Sequence, residues 1–453
     1  LLSTMRIRPS GPSSVQNLEM THYSDVCIVG AGIGGLTCAT GLATSPLSNR
    51  LRVRVFDLNA RVGGRIQSRK LDGGEITELG AARYSPQLHP RFQALMHCFQ
   101  HQHETYPFTQ AIFQDDMQGT LRTTLLGLLP MLDEHPQASF LEFVSHYLGE
   151  GEARRIITAM GYDALLLPMV SASMAYSIIK KHPETQCLVD DASNQWRYAP
   201  EGYGQLLARL QCQAQEGRVE FRMEHRLLSV SRSGDGYGLA FSHQDNIQIH
   251  RARHVILAIP PSAMTPLNLG FPTHWSPYQY GSLPLFKGFL TFNSAWWRDC
   301  QMTDKVLVVN NPLRKIYFKG EKYVQFYTDG ENATYWQDSL EQGEDVYLKR
   351  VRACLEQVLP LGGKPLPPIK DHFHKHWPHG VEFCLESKAD QPTALVHRDG
   401  VIACSDAYTP HGGWMEGGLL SAHQAVRLLL EQLTSASENR YQQSPRSTAC
   451  RAP

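Results

Sequence analysis

The first patterned stretch, "DVCIVGAGIGGLTCATGLA", reads as an apolar strand, a glycine turn and a helix of small residues, and "LRVRVFDLN" supplies a second strand. Together they predict a βαβ unit. From Gln87 to Asn194 the hydrophobic period becomes helical, as in "FLEFVSHYLGEGEARRIITAMGYDALLL", broken at Pro130, Pro136 and Pro168. Strand patterning returns over 218–263 in "RVEFRMEHRLLSVSR", a turn at "SGDGYG", then "GLAFS", "IQIHR" and "HVILAIPPS". Between 264 and 392 come "FKGFLTF", "KVLVVN", "RKIYFKG" and "KYVQFYTD", each bounded by Asn, Asp, Gly or Pro, which predict a separate antiparallel sheet. "GVIACSDAY" and "GGLLSAHQAVRLLLEQL" close the pattern as a strand and an amphipathic helix, and no internal repeat interrupts it.

Composition changes this picture little. The chain of 453 residues is 42% hydrophobic and 19% charged, enough for two or three domains with substantial cores. Lys+Arg and Asp+Glu both number 43, so nothing in the charge favours nucleic acid or an anionic membrane, and small neutral or zwitterionic ligands fit better. The 10 cysteines include no C-x-x-C pair, and several lie in apolar runs, which reads as reduced thiols of a cytoplasmic protein. No run approaches the roughly 20 apolar residues of a membrane span. Residues 1–23 read as a loose leader and 435–453 as a disordered tail.

Gly30, Gly32 and Gly35 form G-x-G-x-x-G directly after the buried strand and at the helix start, where backbone amides can reach a pyrophosphate. Asp57 closes the next strand, where a carboxylate can accept ribose hydroxyls. A bare glycine motif could be a mere tight turn; strand, helix and acid in sequence favour a dinucleotide site. His372, His374 and His376 alternate along one strand face, but no acid or fourth ligand accompanies them, so sheet packing is the expectation and no metal site is assigned.

The segment "DLNARVGGRIQS" resembles the extended signature of FAD-containing amine oxidases, although Asp57 stands where that family usually has Glu. The resemblance implies that Arg61 and Arg65 flank the FAD phosphates and that Gly63 and Gly64 let the chain pass close to the cofactor. "ACSDAYTPHGGWMEGGLLSAHQA" is similar to the family's C-terminal flavin segment, which implies Asp406 near the ribityl or phosphate region and Trp414 and Met415 beside the isoalloxazine. "HRLLSV" resembles the strand whose backbone holds the adenine, with Leu227 at the matching position. One branch attaches flavin through a Cys that follows a Gly; "PHGVEFC" has Val381 after Gly380 and Cys384 out of register, which implies non-covalent FAD.

"YGSLPLFKGFLTFNSAWW" resembles the strand that carries a lysine near flavin N5, and Lys287 is the match. On its residues alone a lysine between phenylalanines is either desolvated, with a lowered pKa, or snorkels to the surface. "GAARYSP" resembles the L-amino-acid oxidase branch, which implies that Arg83 pairs with a substrate carboxylate and that Ala82 lies at the cofactor. An Arg83 paired with a structural carboxylate such as Glu78 is the alternative. Tyr327 is expected to give the carboxylate a second hydrogen bond, with Tyr323 on the same strand face.

Within that branch, "ARYSPQLHPRFQ", "MGYDALLLP" and "NPLRKIYFKGEKY" are similar to oxidases of L-tryptophan. This implies L-tryptophan and dioxygen as reactants and an imine that a downstream coupling enzyme could take. It also places Tyr162 and His182 near the indole, against the alternative that both are core residues. The expected fold is α/β and amine oxidase-like, with a discontinuous Rossmann-like FAD domain over 24–86, 203–263 and 393–434. A helical domain would span 87–202 and a strand-rich substrate domain 264–392. A homodimer is compatible with the sequence. The alternatives are a broader aromatic amino-acid oxidase, an amine or polyamine oxidase, and a flavin-binding interaction protein with a dead site.

Overall fold

The computed structural model describes residues 20–135, 138–190, 194–267, 269, 279–385, 392–397 and 400–443, so the expected leader and the end of the expected tail lie largely outside it. Strand β1 (Met20–Val29) runs into the glycine turn and α1 (Ile33–Ala43), and β2 (Val53–Phe56) lies parallel to β1, with Val26 opposite Val53. Val26, Cys27, Ile28 and Val29 are all buried, so β1 is covered on both faces and shows an apolar run rather than an alternation. Strands β3 (Ser68–Lys70) and β4 (Ile76–Glu78) pair antiparallel just after the "RVGGR" loop.

The helical stretch follows as α2 (Pro90–Cys98), the short strands β5 (Glu104–Thr105) and β6 (Ala111–Phe113), then α3 (Gln118–Leu128), α4 (Phe140–Leu148), α5 (Glu150–Ala159) and α6 (Ala172–Lys180). Local chemistry sets several of these starts. Pro90 takes the first turn of α2, Ser139 and Glu142 form a capping box on α4, and Ser171 caps α6. Strand β7 (Arg197–Tyr198) and α7 (Tyr203–Glu216) lead to β8 (Glu220–Arg222), β9 (Arg226–Ser233), β10 (Gly236–His243), β11 (Asn246–Leu257) and the single turn α8 (Pro261–Met264).

The second strand-rich block comprises β12 (Tyr280–Phe292), β13 (Val306–Val308), β14 (Lys315–Lys319) and β15 (Tyr323–Asp329), then α9 (Gly330–Glu341), α10 (Glu344–Val358) and β16 (Ile369–Cys384). Strands β17 (Ala394–Val396) and β18 (Ile402–Cys404) precede the long α11 (Met415–Gln443). Helix α11 thus extends past 434 into the stretch expected to be disordered. "TSASENRYQQ" has no apolar stripe, but its Ala, Glu, Arg and Gln are good helix formers and prolong the ladder.

Two sheets organise the chain. The first runs β17-β18-β11-β1-β2-β8, with β10 joined to β11 and β9 to β10, and from β18 to the edge strand β8 the neighbours pair in parallel. Three separated stretches of sequence build it. The second runs β16-β12-β15-β14-β13-β6 and is antiparallel except where β6 meets β13. Strand β6 comes from the stretch read as helical; three residues, "AIF", are too few to show a period, and only the tertiary pairing of Leu307 with Ile112 reveals them.

On one face of the second sheet, Phe286, Leu290, Phe326, Trp336, Tyr347 and Leu355 form a core with α9 and α10. On the other side, helical residues such as Leu125, Phe143 and Ile157 share a core with Val306, Val308 and Tyr317. His374 stacks flat on Phe286 at 5.7 Å and His372 bonds Glu344 at 2.8 Å, so these histidines of β16 serve packing and surface pairing. Among the described residues no helix is long and apolar enough to cross a membrane.

Candidate active site

The parallel sheet ends at the glycine turn. A Cβ on Gly35 would lie 1.8 Å from the carbonyl oxygen of Gly30, so only glycine lets α1 leave the strand this tightly. Gly32 differs: nothing lies within 4 Å of the place its Cβ would take. That open space faces the N-terminus of α1, which has neither a side-chain cap nor an acid in its first turn. Its free amides therefore point into a cradle suited to an anion. Asp57 holds the cradle's shape, accepting the Ala31 N–H at 2.7 Å and the Asn59 N–H at 2.8 Å.

Arg61 donates to the carbonyls of Val62, Gly64 and Ile66 at 3.0, 2.8 and 3.1 Å, which folds the "RVGGR" loop over the same space. Arg65 forms an ion pair with Asp406, which also accepts the Gly413 N–H at 2.8 Å. The pair ties the first segment of the chain to the last. Behind it, the buried Glu416 accepts the Phe92 N–H at 2.9 Å and seats the start of α11 against α2.

A cavity of about 1270 Å³ opens from Gly30, Gly32 and Asp57 past Gly64, Arg65 and Asp406 to the second sheet. Uncapped amides, the vacant space at Gly32 and a carboxylate at the strand end fit a dinucleotide at this end. Ala82, Trp414 and Met415 line the middle of the cavity. Gly35 and Leu227 do not line it: Gly35 acts through the close approach just described, and the Leu227 side chain is buried in the core beside Phe56 and Phe241.

Beyond the middle, β12 and β15 present Lys287 and Tyr327, which face each other in register. Lys287 is 6% exposed and does not reach the surface. Its ammonium donates to the carbonyls of Glu78 at 3.1 Å and Gly80 at 2.6 Å. Burial, with the nearby charge of Arg83, lowers its pKa to about 7. Glu78 is itself pushed up to about 7 by burial, against the Tyr203 N–H and the Ser68 hydroxyl that its carboxylate accepts.

Arg83 also faces the cavity, but its partner is neither free space nor Glu78. Its Nη2 donates to Glu184 at 3.1 Å and its Nη1 to the Tyr106 hydroxyl at 3.2 Å. Burial opposes its charge, and Glu184 with the surrounding tyrosines outweighs burial and holds it firmly protonated. Glu184 also accepts the hydroxyls of Tyr162 at 3.0 Å and Tyr317 at 2.7 Å. Lys315 lies below, its ammonium 3.1 Å from the centre of the Tyr162 ring and 4.5 Å from that of Tyr327. Glu184 and Tyr106 carry no motif, and Lys315 and Tyr317 lie in "NPLRKIYFKGEKY" without a role that sequence reading assigned.

An aromatic wall completes this end. His182 lies 4.9 Å from Tyr162 and 5.3 Å from Trp414, while His89 and Trp196 flank Trp414 at 4.6 and 5.6 Å. Burial and the Arg83 charge lower the His182 pKa to about 4, so the ring is neutral near pH 7. Its Nδ1 donates to the Ile178 carbonyl at 2.7 Å. Tyr162, His182, Tyr327 and Trp414 thus line one continuous space with Arg83 and Lys287.

A nucleotide cradle on a parallel sheet, opening onto an antiparallel sheet that offers a partly neutral lysine, is the layout of a flavoprotein oxidoreductase. Residues 33–430 match the family of flavin containing amine oxidoreductases, and the chain belongs to it. Wild-type putrescine oxidase bound to putrescine superposes with a TM-score of 0.68 at 18% identity, covering 91% of this chain and 100% of that one. A single mutant of putrescine oxidase, made in a redesign of its cofactor binding, gives 0.68 at 17% identity over 91% of this chain and 100% of its own. These likenesses show a shared fold.

Proposed function

We propose that the chain is an FAD-dependent L-amino-acid oxidase that converts L-tryptophan to indole-3-pyruvate imine while dioxygen becomes hydrogen peroxide. This is the reaction of the L-tryptophan oxidase of violacein biosynthesis, which its sequence resembles from about Ser24 to Leu433. The observation that carries the reading is Arg83, a permanently charged guanidinium facing the cavity beyond its nucleotide end. A simple amine offers it nothing to bind; an amino acid brings a carboxylate.

FAD would be held without a covalent bond by the α1 amides, Asp57, Arg61, Arg65 and Asp406, because Val381 rather than a cysteine follows Gly380. FAD, when bound, would supply the two-electron acceptor that oxidation of the substrate Cα–H bond requires. Arg83 and the Tyr327 hydroxyl, which has no hydrogen-bond partner among the described residues, orient the carboxylate. Lys287, neutral in part near pH 7, takes or holds a proton close to the reacting carbon. Tyr162, the neutral His182 and Trp414 flank the indole without placing a charge against it. The imine leaves for a downstream coupling enzyme of the cytoplasm.

The competing reading is an amine or polyamine oxidase, whose cationic substrate needs an accessible anion. Glu184 does not meet that need, because its side chain is 0% exposed behind Arg83; Glu78 and Asp329, which line the cavity, are the acids such a substrate would have to use. A panel of the twenty amino acids with tryptamine and putrescine, each at low concentration and read as peroxide, tests the proposal. L-tryptophan should give the highest rate. A flat profile removes tryptophan while leaving an amino-acid oxidase, and turnover of the amines alone removes both.

A further inference from the structure

The carboxylate of Glu184 is fully buried at this site, and the proposed reaction does not use it. It sits in "KKHPETQ", two residues after His182, and is reached by three donors from three parts of the chain: Arg83, Tyr162 and Tyr317. Two features of the contact matter. Glu184 holds Arg83 through one N–H only, while its second oxygen turns away to the Tyr317 hydroxyl. A guanidinium has five N–H donors in a planar fork; with the bonds to Glu184 and Tyr106 made and Nε buried, one N–H on each Nη of Arg83 remains to receive a second carboxylate. The Arg83 side chain remains 17% exposed, whereas that of Glu184 is 0% exposed. The accessible side of the pair is cationic and its hidden side anionic.

From this geometry we infer that Glu184 is a built-in counter-carboxylate, a positioning residue that fixes Arg83 and sets how tightly the pocket holds the carboxylates of substrate and product. The inference rests on the proposed role of Arg83. A buried guanidinium without a counter-charge would bind any carboxylate strongly, including the imino acid that must depart. With Glu184 beside it, each incoming carboxylate meets an attraction to Arg83 and a repulsion from Glu184 that partly cancel. Burial favours a neutral Glu184, but Arg83, Lys315 and the Tyr317 hydroxyl outweigh it and keep the group ionised. His182 adds no opposing charge near pH 7, and Lys315, which donates to the Gly161 carbonyl at 2.7 Å and lies against two tyrosine rings, has its pKa lowered to about 7 by burial.

The test uses the flavin-loaded enzyme and two ligands that cannot be oxidised, indole-3-propionate and its neutral amide, titrated through the change in flavin absorbance. Glu184→Gln keeps an acceptor for Arg83 and removes the charge. It should tighten indole-3-propionate binding by about tenfold or more and leave the amide unchanged. Glu184→Asp, which keeps the charge, should restore the wild-type preference. A purely structural Glu184 would give weaker acid binding in Glu184→Gln; weaker or unchanged acid binding overturns the inference. If Glu184→Gln does not retain flavin, Tyr317→Phe takes its place. Losing that hydroxyl turns the Glu184 charge fully on Arg83, so acid affinity should fall severalfold with the amide unaffected, and an unchanged affinity overturns the inference. If the wild type binds acid and amide alike and Arg83→Met makes no difference, the role of Arg83 is itself wrong and the inference falls with it.

Discussion

The ammonium of Lys287 donates to the carbonyl of Gly80 at 2.6 Å, so the second sheet grips the segment that carries Arg83. That segment is already pressed against the flavin loop: a Cβ on Gly80 would lie 1.7 Å from the carbonyl oxygen of Arg65. Lysine, arginine and cofactor loop are thus set relative to one another by backbone contacts.

Lys287 should therefore show both a catalytic and a pH effect. Its pKa is lowered to about 7 by burial and by Arg83, so the neutral amine that can take a proton grows as pH rises through about 7. Lys287→Met should reduce kcat by roughly 100-fold or more and remove the limb of the pH profile near 7, while a limb due to the substrate amine stays. A mutant profile that retains the limb near 7 would assign it to another group.

Glu78 makes a prediction about stability. Its pKa rises from an ordinary 4.5 to about 7 on folding, chiefly through burial. A raised pKa means that the folded state binds the proton more tightly, so the stability it contributes is full below about 4.5 and is lost as pH rises through about 7. Glu78→Gln keeps the acceptor for the Tyr203 N–H and carries no charge. The variant should match the wild type near pH 5 and exceed it near pH 8 by about 2 kcal/mol, read as a pH-dependent gap in Tm. A gap independent of pH would show that burial of this carboxylate is not costly.

Two glycines of one motif should fail differently. Gly35→Ala drives a methyl group to 1.8 Å from the Gly30 carbonyl oxygen and should cost about 3 kcal/mol or more, seen as a large fall in Tm with or without cofactor. Gly32→Ala meets open space and keeps an extended backbone, so the apoprotein Tm should hold while FAD affinity falls, because the methyl group occupies the cradle. Equal loss of fold in both variants would contradict this division.

The same contrast explains what was legible in the chain. The glycine turn, Asp57 and the "RVGGR" loop form one continuous stretch whose local pattern states its own geometry, and Arg83 follows within the same run. Strands β1 and β18 were legible because a strand buried on both faces must be apolar throughout, whereas β8 at the sheet edge is largely exposed and shows no such run. Glu184 was hidden: its partner Arg83 lies 101 residues away, and one acid in a polar "KKHPETQ" segment looks solvent-facing until the tyrosines close over it. Strand β6 was hidden for a similar reason, being defined by its neighbour β13 rather than by a pattern of its own.

The central claim, that Arg83 selects a carboxylate-bearing amine for oxidation, is tested most directly by mixing the flavin-loaded enzyme anaerobically with substrate and following flavin absorbance. Wild type should bleach with L-tryptophan and remain yellow with tryptamine, and Arg83→Met should lose at least roughly 100-fold in the L-tryptophan bleaching rate. Bleaching by tryptamine or putrescine but not by L-tryptophan, or an Arg83→Met variant that bleaches with L-tryptophan as fast as wild type, would contradict the account.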